Sequence, residues 1–196
     1  MSFSEPTVCE CGSPDGREFP AELVGLDAPS DIALLKTHAT HLPQLRWGSS
    51  SRVRVGDPVV VIGNPLGVGQ TATAGILSAR GRALAGSPYI EFLQTDAAIN
   101  HGNSGGPMLS MDGHVIGVAS TMLTPSGGSI GLGFAIPAET AATVVQALRA
   151  HGHVDRGYLG ISVQALTAEL AKALHASSSG CALVTAVEPS VPRPKL

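Results

Sequence analysis

The sequence predicts an all-β fold: a barrel or sandwich of short strands, then one helix and a small appended unit. Three observations carry this reading. Short alternating or continuous apolar runs recur along the first two-thirds of the chain, with turn residues between them. The 24 glycines and 14 prolines supply those turns. A helical period of 3.6 appears only late, from Pro137 onward.

Taken in order, Asp15-Gly16 reads as a hairpin turn. Residues 18–24 and 52–55 alternate as half-buried strands do, and 32–35 is a short apolar strand. Residues 59–62 are continuous and β-branched, a buried strand ended by Gly63-Asn64-Pro65. Strands are expected at 71–78, 89–95 and 133–136, and 106–109 and 115–121 form a hairpin around Asp112-Gly113. Ala141, Val144, Val145 and Leu148 then follow helical spacing, with Pro137 suited to the first position and Gly152 to the stop. Residues 151–157 read as a linker. Beyond it come a strand at 158–163, a helix at 167–175 and a strand at 182–187.

The chain has 196 residues, enough for one domain and part of another. A hydrophobic fraction of 43% against 14% charged argues for a packed core rather than disorder. A net charge of -3 provides no basic field, which argues against nucleic acid as a partner. No apolar run is long enough to span a bilayer, and residues 1–6 do not read as a signal peptide. Cys9, Cys11 and Cys181 make no disulfide framework. Cys9 and Cys11 also stand too close for the usual zinc spacing, so no metal is expected.

Chemistry concentrates in residues 97–113, AAINHGNSGGPMLSMDG. Ser104 is flanked by Gly102, Gly105 and Gly106. Glycines let backbone amides converge on one point, as an oxyanion-stabilising loop requires. A glycine-rich turn with an incidental serine fits those five residues equally well. Two surroundings favour a nucleophile. The loop joins two strands rather than opening a helix, and an acid, Asp31, precedes the serine in chain order.

On these stretches the chain resembles the protease domain of the HtrA/Deg family of chymotrypsin-fold serine proteases. The matching segments are DGREFPAELVG, SDIALLK, VGDPVVVIGNPLGVGQTATAGILSARGR, FLQTDAAINHGNSGGPML and GLGFAIP, all within residues 15–150. GYLGI, at residues 157–161, resembles the loop that opens a PDZ domain. The resemblance implies a chymotrypsin-like double β-barrel with a C-terminal helix, followed by a partial PDZ-like unit at 158–196. Residues 1–14 fall outside it.

It also implies roles. Ser104 is the nucleophile, Asp31 orients the catalytic histidine, and Gly102, Asn103 and Ser104 form the oxyanion hole. Ala98, Ile99, Phe134 and Ile136 form an apolar specificity pocket for small or medium aliphatic residues. Tyr158, Leu159, Gly160 and Ile161 capture a peptide carboxylate. Partners are unfolded or misfolded proteins and peptides, with a homotrimer in the full-length relatives. The family works in the periplasm or cell envelope. No cofactor is needed, because side chains and water do the chemistry.

The family's histidine precedes the aspartate, yet residues 1–30 contain none. Seven histidines exist: His38, His41, His101, His114, His151, His153 and His175. His101 is nearest to Ser104 in sequence, but on the side where the specificity pocket is expected. The first barrel would lack its opening strands as well. Three expectations follow: a protease with weak or no activity as this chain stands, a non-catalytic peptide-binding pseudoprotease, or a fragment without function.

Overall fold

In the computed structural model, residues 8–12, 17–125, 127–176 and 181–188 are described. The chain divides into two compact units, Met1–Val154 and Asp155–Leu196, so the break falls inside the expected linker.

The first unit opens with a three-stranded antiparallel sheet of β1 (Val8–Gly12), β2 (Glu18–Asp27) and β3 (Ile32–Thr37). Asp15-Gly16 lies outside the described residues, but Gly12 pairs with Glu18 across the expected turn. Residues 8–12 therefore belong to the sheet rather than standing apart from the domain. β2 alternates as its sequence does: Ala21 and Asp27 are buried, while Val24 and Leu26 face outward.

Six strands then close a barrel in the order β4-β5-β6-β9-β8-β7. They are β4 (Pro58–Gly63), β5 (Thr71–Arg82), β6 (Phe92–Thr95), β7 (Pro107–Ser110), β8 (Val115–Met122) and β9 (Gly133–Pro137). Each strand contributes to one core cluster, including Val59, Leu77, Leu93, Met108, Ile116 and Ala135. Closure leaves the barrel without an open edge.

Helix α1 (Ala138–His151) packs against β2, β3, β8 and β9, and so joins the small sheet to the barrel. Ala141, Val144 and Leu148 meet Ile32, Ile90, Phe92, Phe134 and Ile136 in a second cluster. Pro137 is the N-cap rather than the first helical residue, and Gly152 ends the helix in the left-handed region at φ 75°.

Two expected strands of the first unit differ, and in the second unit the strand expected at 158–163 begins only at Ile161. Residues 52–55 form no strand, because Arg52 ends a 3₁₀ turn (Ser50–Arg52) and Arg54 and Asp57 close the next one. The strand expected at 89–95 begins only at Phe92, since Ile90 N–H bonds back to the Ser87 carbonyl at 3.3 Å.

The second unit pairs β10 (Ile161–Ala165) with β11 (Ala182–Val187), antiparallel, beside a short helix α2 (Ala168–Ala173). Thr167 caps α2 by accepting from Leu170 N–H at 3.3 Å. No helix among the described residues is long and apolar enough to cross a membrane.

Candidate active site

Ser104 sits in the turn that enters β7, and position 102 of that turn has room only for glycine. Gly102 has φ 97°, and a Cβ there would lie 2.2 Å from the Asn64 carbonyl oxygen. The loop is fastened on both flanks. Asn64 N–H donates to Gly102 O at 3.1 Å and Leu66 N–H to His101 O at 2.9 Å. Gly105 N–H donates to Ala119 O, and Ala119 N–H to Gly106 O, each at 2.8 Å. These bonds hold the serine against β8.

Asn103 is the buried peg beneath the turn, only 2% exposed. Its Nδ2 donates to the Ala98 carbonyl at 3.2 Å, and that oxygen also accepts from Thr73 Oγ1 at 2.9 Å. Asn103 N–H bonds Asn100 O at 3.0 Å, whereas among the described residues the Gly102 and Ser104 amides donate to nothing. Two free amides flanking a pegged residue can receive a developing oxyanion.

Asp31 arrives from the other sheet. It ends the 3₁₀ turn Ala28–Ser30 in a left-handed conformation, φ 54°. That turn is fixed by the Ser30 hydroxyl, which donates to the buried Asp27 carboxylate. Ser120 links the two functional groups. Its hydroxyl donates to Asp31 Oδ2 at 2.6 Å, and its carbonyl accepts from Ser104 Oγ at 2.9 Å. Ser120 was not singled out in the sequence. The available signal was a pair of adjacent hydroxyl residues, Ser120 and Thr121, beside buried Ala119 in an otherwise apolar strand.

A cavity of about 190 Å³ opens beside Ser104. Ile99, Asn100, His101, Thr121, Met122 and Thr124 line it together with Ser104 and Ser120. Of the four expected pocket residues only Ile99 does so. Phe134 and Ile136 lie instead in the core against α1. Alternation along β9 explains this: Ala135 faces into the barrel, so its neighbours face the helix. Ala98 supports the loop through its carbonyl rather than walling the cavity.

Among the described residues no histidine ring bonds Ser104 or Asp31. His101 lies on the cavity rim, and its ring has no hydrogen-bond partner among the described residues. His38 stands 3.7 Å from Glu22, and His114 bonds Asp112 at 3.0 Å. His151 closes α1 and His153 follows it, while His175 belongs to the second unit. Among the described residues no cluster of His, Cys, Asp and Glu could hold a metal ion.

In the second unit, Gly160 turns at φ 64° ahead of β10 and its carbonyl accepts from Glu188 N–H at 2.8 Å. Tyr158 and Leu159 are exposed, and their amides donate to nothing among the described residues. The Tyr158 hydroxyl, bonded to the Glu188 carboxylate, is held above its ordinary pKa by that contact.

Comparison with known proteins matches residues 4–118 to the trypsin-like peptidase domain, starting upstream of Asp15. A relative in Rhizobium meliloti (strain 1021), named "Probable periplasmic serine endoprotease DegP-like", is 46% identical over 181 residues. The match covers 92% of this chain and 36% of that protein. A protein of the same name in Marinomonas sp. (strain MWYL1) is 45% identical, with 92% and 39% covered. The chain thus spans little more than a third of these relatives' length. Among solved structures, the HtrA-type protease AlgW with a decapeptide superposes with TM-score 0.86 at 45% identity, covering 96% of this chain and 58% of that one. The serine endoprotease from Yersinia pestis gives TM-score 0.69 at 41% identity, with 82% and 55% covered.

Proposed function

The chain belongs to the trypsin-like peptidase family, among its HtrA/DegP-like serine endoproteases, and from that membership we propose that its first unit is a peptidase domain for unfolded or misfolded periplasmic proteins. The observation that carries the reading is the anchoring of Ser104 and Asp31 on one residue, Ser120.

In this reading Ser104 Oγ attacks the scissile carbonyl, and the Gly102 and Ser104 amides take up the charge on its oxygen. The acyl group passes to the serine, the amine leaves, and water then releases the acid. The cavity beside Ser104 receives the side chain preceding the cleaved bond. Its volume of about 190 Å³ and the presence of Ile99 and Met122 support small or medium aliphatic residues.

Attack needs an imidazole to accept the Ser104 proton and pass it to the leaving amine. None of the seven histidines stands there. A polypeptide of residues 1–196 is therefore expected to hydrolyse peptides at least about a thousandfold slower than a complete serine protease, because triad members act as a unit. The test is turnover of an unfolded substrate such as casein, compared with Ser104→Ala. Residual hydrolysis that survives in Ser104→Ala would remove Ser104 from the reaction.

The exposed loop ahead of β10 supports a second reading, in which the chain holds peptides at a place other than Ser104. The free amides at Tyr158 and Leu159 then serve a C-terminal carboxylate. Peptides with a free and an amidated C-terminus decide it: equal affinity excludes that loop as the site.

A further inference from the structure

A larger cavity than the one beside Ser104 lies away from the serine loop. It measures about 680 Å³ and is walled by Trp47, Arg52, Val53, Met111, Asp112 and His114, among others. β4 and β7 fix its position. Pro58, at the start of β4, and Ser110, at the end of β7, line this cavity. At the other end of the same strands, Gly63 abuts Asn103 and Pro107 follows the Ser104 turn. A strand of six residues separates the two places by about 17 Å.

The wall is built in advance. The Arg46 carbonyl accepts from Val115 N–H at 2.9 Å, and Gly48 N–H donates to Val115 O at 2.8 Å, so Trp47 is held beside β8. A Cβ on Gly48 would meet His114 Cβ at 2.8 Å. Farther along, Glu139 of α1 accepts from the hydroxyls of Ser49 and Ser50, and Arg80 of β5 donates to the carbonyls of Ser50 and Val53 at 2.6 Å each. An exposed segment tied at both ends to barrel and helix keeps its concavity without a ligand, which lowers the cost of binding one.

Charge bookkeeping within the cavity selects the ligand. Asp112 is already satisfied by the Ser110 hydroxyl and by His114 Nδ1 at 3.0 Å. Asp57 accepts Arg54 N–H at 2.8 Å and faces the Arg54 guanidinium at 3.5 Å. Among the described residues the Arg52 guanidinium has no hydrogen bond or ion pair, and His114 Nε2 has no partner. Both acids are therefore met from within, and a guanidinium is left uncompensated. Beside it stand the half-exposed Trp47 ring and the exposed Met111 side chain, with Val53 and Ile116 deeper. A planar guanidinium suits a carboxylate, and an indole suits a flat apolar body. The volume falls within the range of small-ligand sites.

We propose that this cavity is a second binding site, remote from Ser104, for a small organic carboxylate with a flat apolar body held between Arg52 and Trp47. Trp47 is the only tryptophan in the chain, so its indole N–H gives a single resonance that reports on the cavity alone.

The test titrates the full 196-residue chain with 2-naphthoate and with neutral 2-naphthamide, following that resonance by ¹H–¹⁵N correlation. The expected result is a saturable shift with the carboxylate, with roughly tenfold or greater weakening for the amide and in Arg52→Gln. Ser104→Ala should bind as the parent does. Arg52 is exposed, so its replacement should leave the rest of the spectrum in place. An indole resonance that does not move, equal affinity for acid and amide, or undiminished binding in Arg52→Gln would each overturn the proposal.

Discussion

Ser120 donates its hydroxyl to Asp31 and lends its carbonyl to Ser104, so one residue of β8 spaces two groups that arrive from different sheets. Ser120→Ala should remove the first bond and keep the second. Because Asp31 is exposed, urea unfolding should register less than about 1 kcal/mol. The neighbouring glycines separate sharply. Gly102→Ala puts a Cβ 2.2 Å from Asn64 O at φ 97°, and should cost about 2 kcal/mol or more. Gly105→Ala, at φ 84° in open space, should cost only about 1 kcal/mol, the left-handed strain alone. Equal losses in urea unfolding would mean that the close approach of Asn64 is unimportant. The serine loop was legible in the sequence because glycines around a serine restrict what that backbone can be. Ser120 was not, since its role depends on a pairing between strands distant in sequence. Phe134 and Ile136 were misplaced for a related reason. β9 is buried on both faces, so its composition does not say which face meets the cavity.

Helix α1 is the element that fastens the Asp31 sheet to the Ser104 barrel. Leu148 is fully buried between them, and a Cβ on Gly25 of β2 would come within 3.2 Å of Leu148 Cδ2. Leu148→Ala should cost about 2–5 kcal/mol in denaturant unfolding, the usual range for an apolar truncation that leaves a cavity. The first turn of α1 carries a pH-dependent contact as well. Burial opposes the charge on Glu139, but hydrogen bonds from Ser50, Ser49 and the Ser51 amide outweigh it and bring the pKa down to about 2. A carboxyl with a lowered folded-state pKa stabilises above its unfolded value of about 4.5. That contribution disappears as pH falls from about 4.5 toward about 2. Solvent screening limits it to at most about 1 kcal/mol, because the side chain is exposed. Glu139→Gln should flatten the stability profile across that window; an unchanged profile would assign the acid sensitivity elsewhere. Alternation and helical spacing announced most elements, including α1 to within a residue. Residues 52–55 escaped because Asp57, by capping Arg54, turns an alternating stretch into a tight turn.

Both apolar clusters lie within Met1–Val154, whereas in the second unit only Leu166 and Ala171 are buried apolar side chains among the described residues. A polypeptide of residues 1–154 should thus unfold cooperatively by itself, with a midpoint within a few degrees of the full chain's, as differential scanning calorimetry would show. The acid, the nucleophile and their shared anchor are all in that unit, and among the described residues no histidine ring bonds the acid or the nucleophile. The most direct measurement of this account is the rate at which a fluorophosphonate modifies the 196-residue chain at neutral pH, with the modified residue mapped by mass spectrometry. The account predicts slow modification confined to Ser104, at least about a thousandfold below a complete serine protease. Labelling of Ser104 at an ordinary protease rate would show that one of the seven histidines reaches it after all. Labelling of another serine in its place would contradict the assignment of the nucleophile.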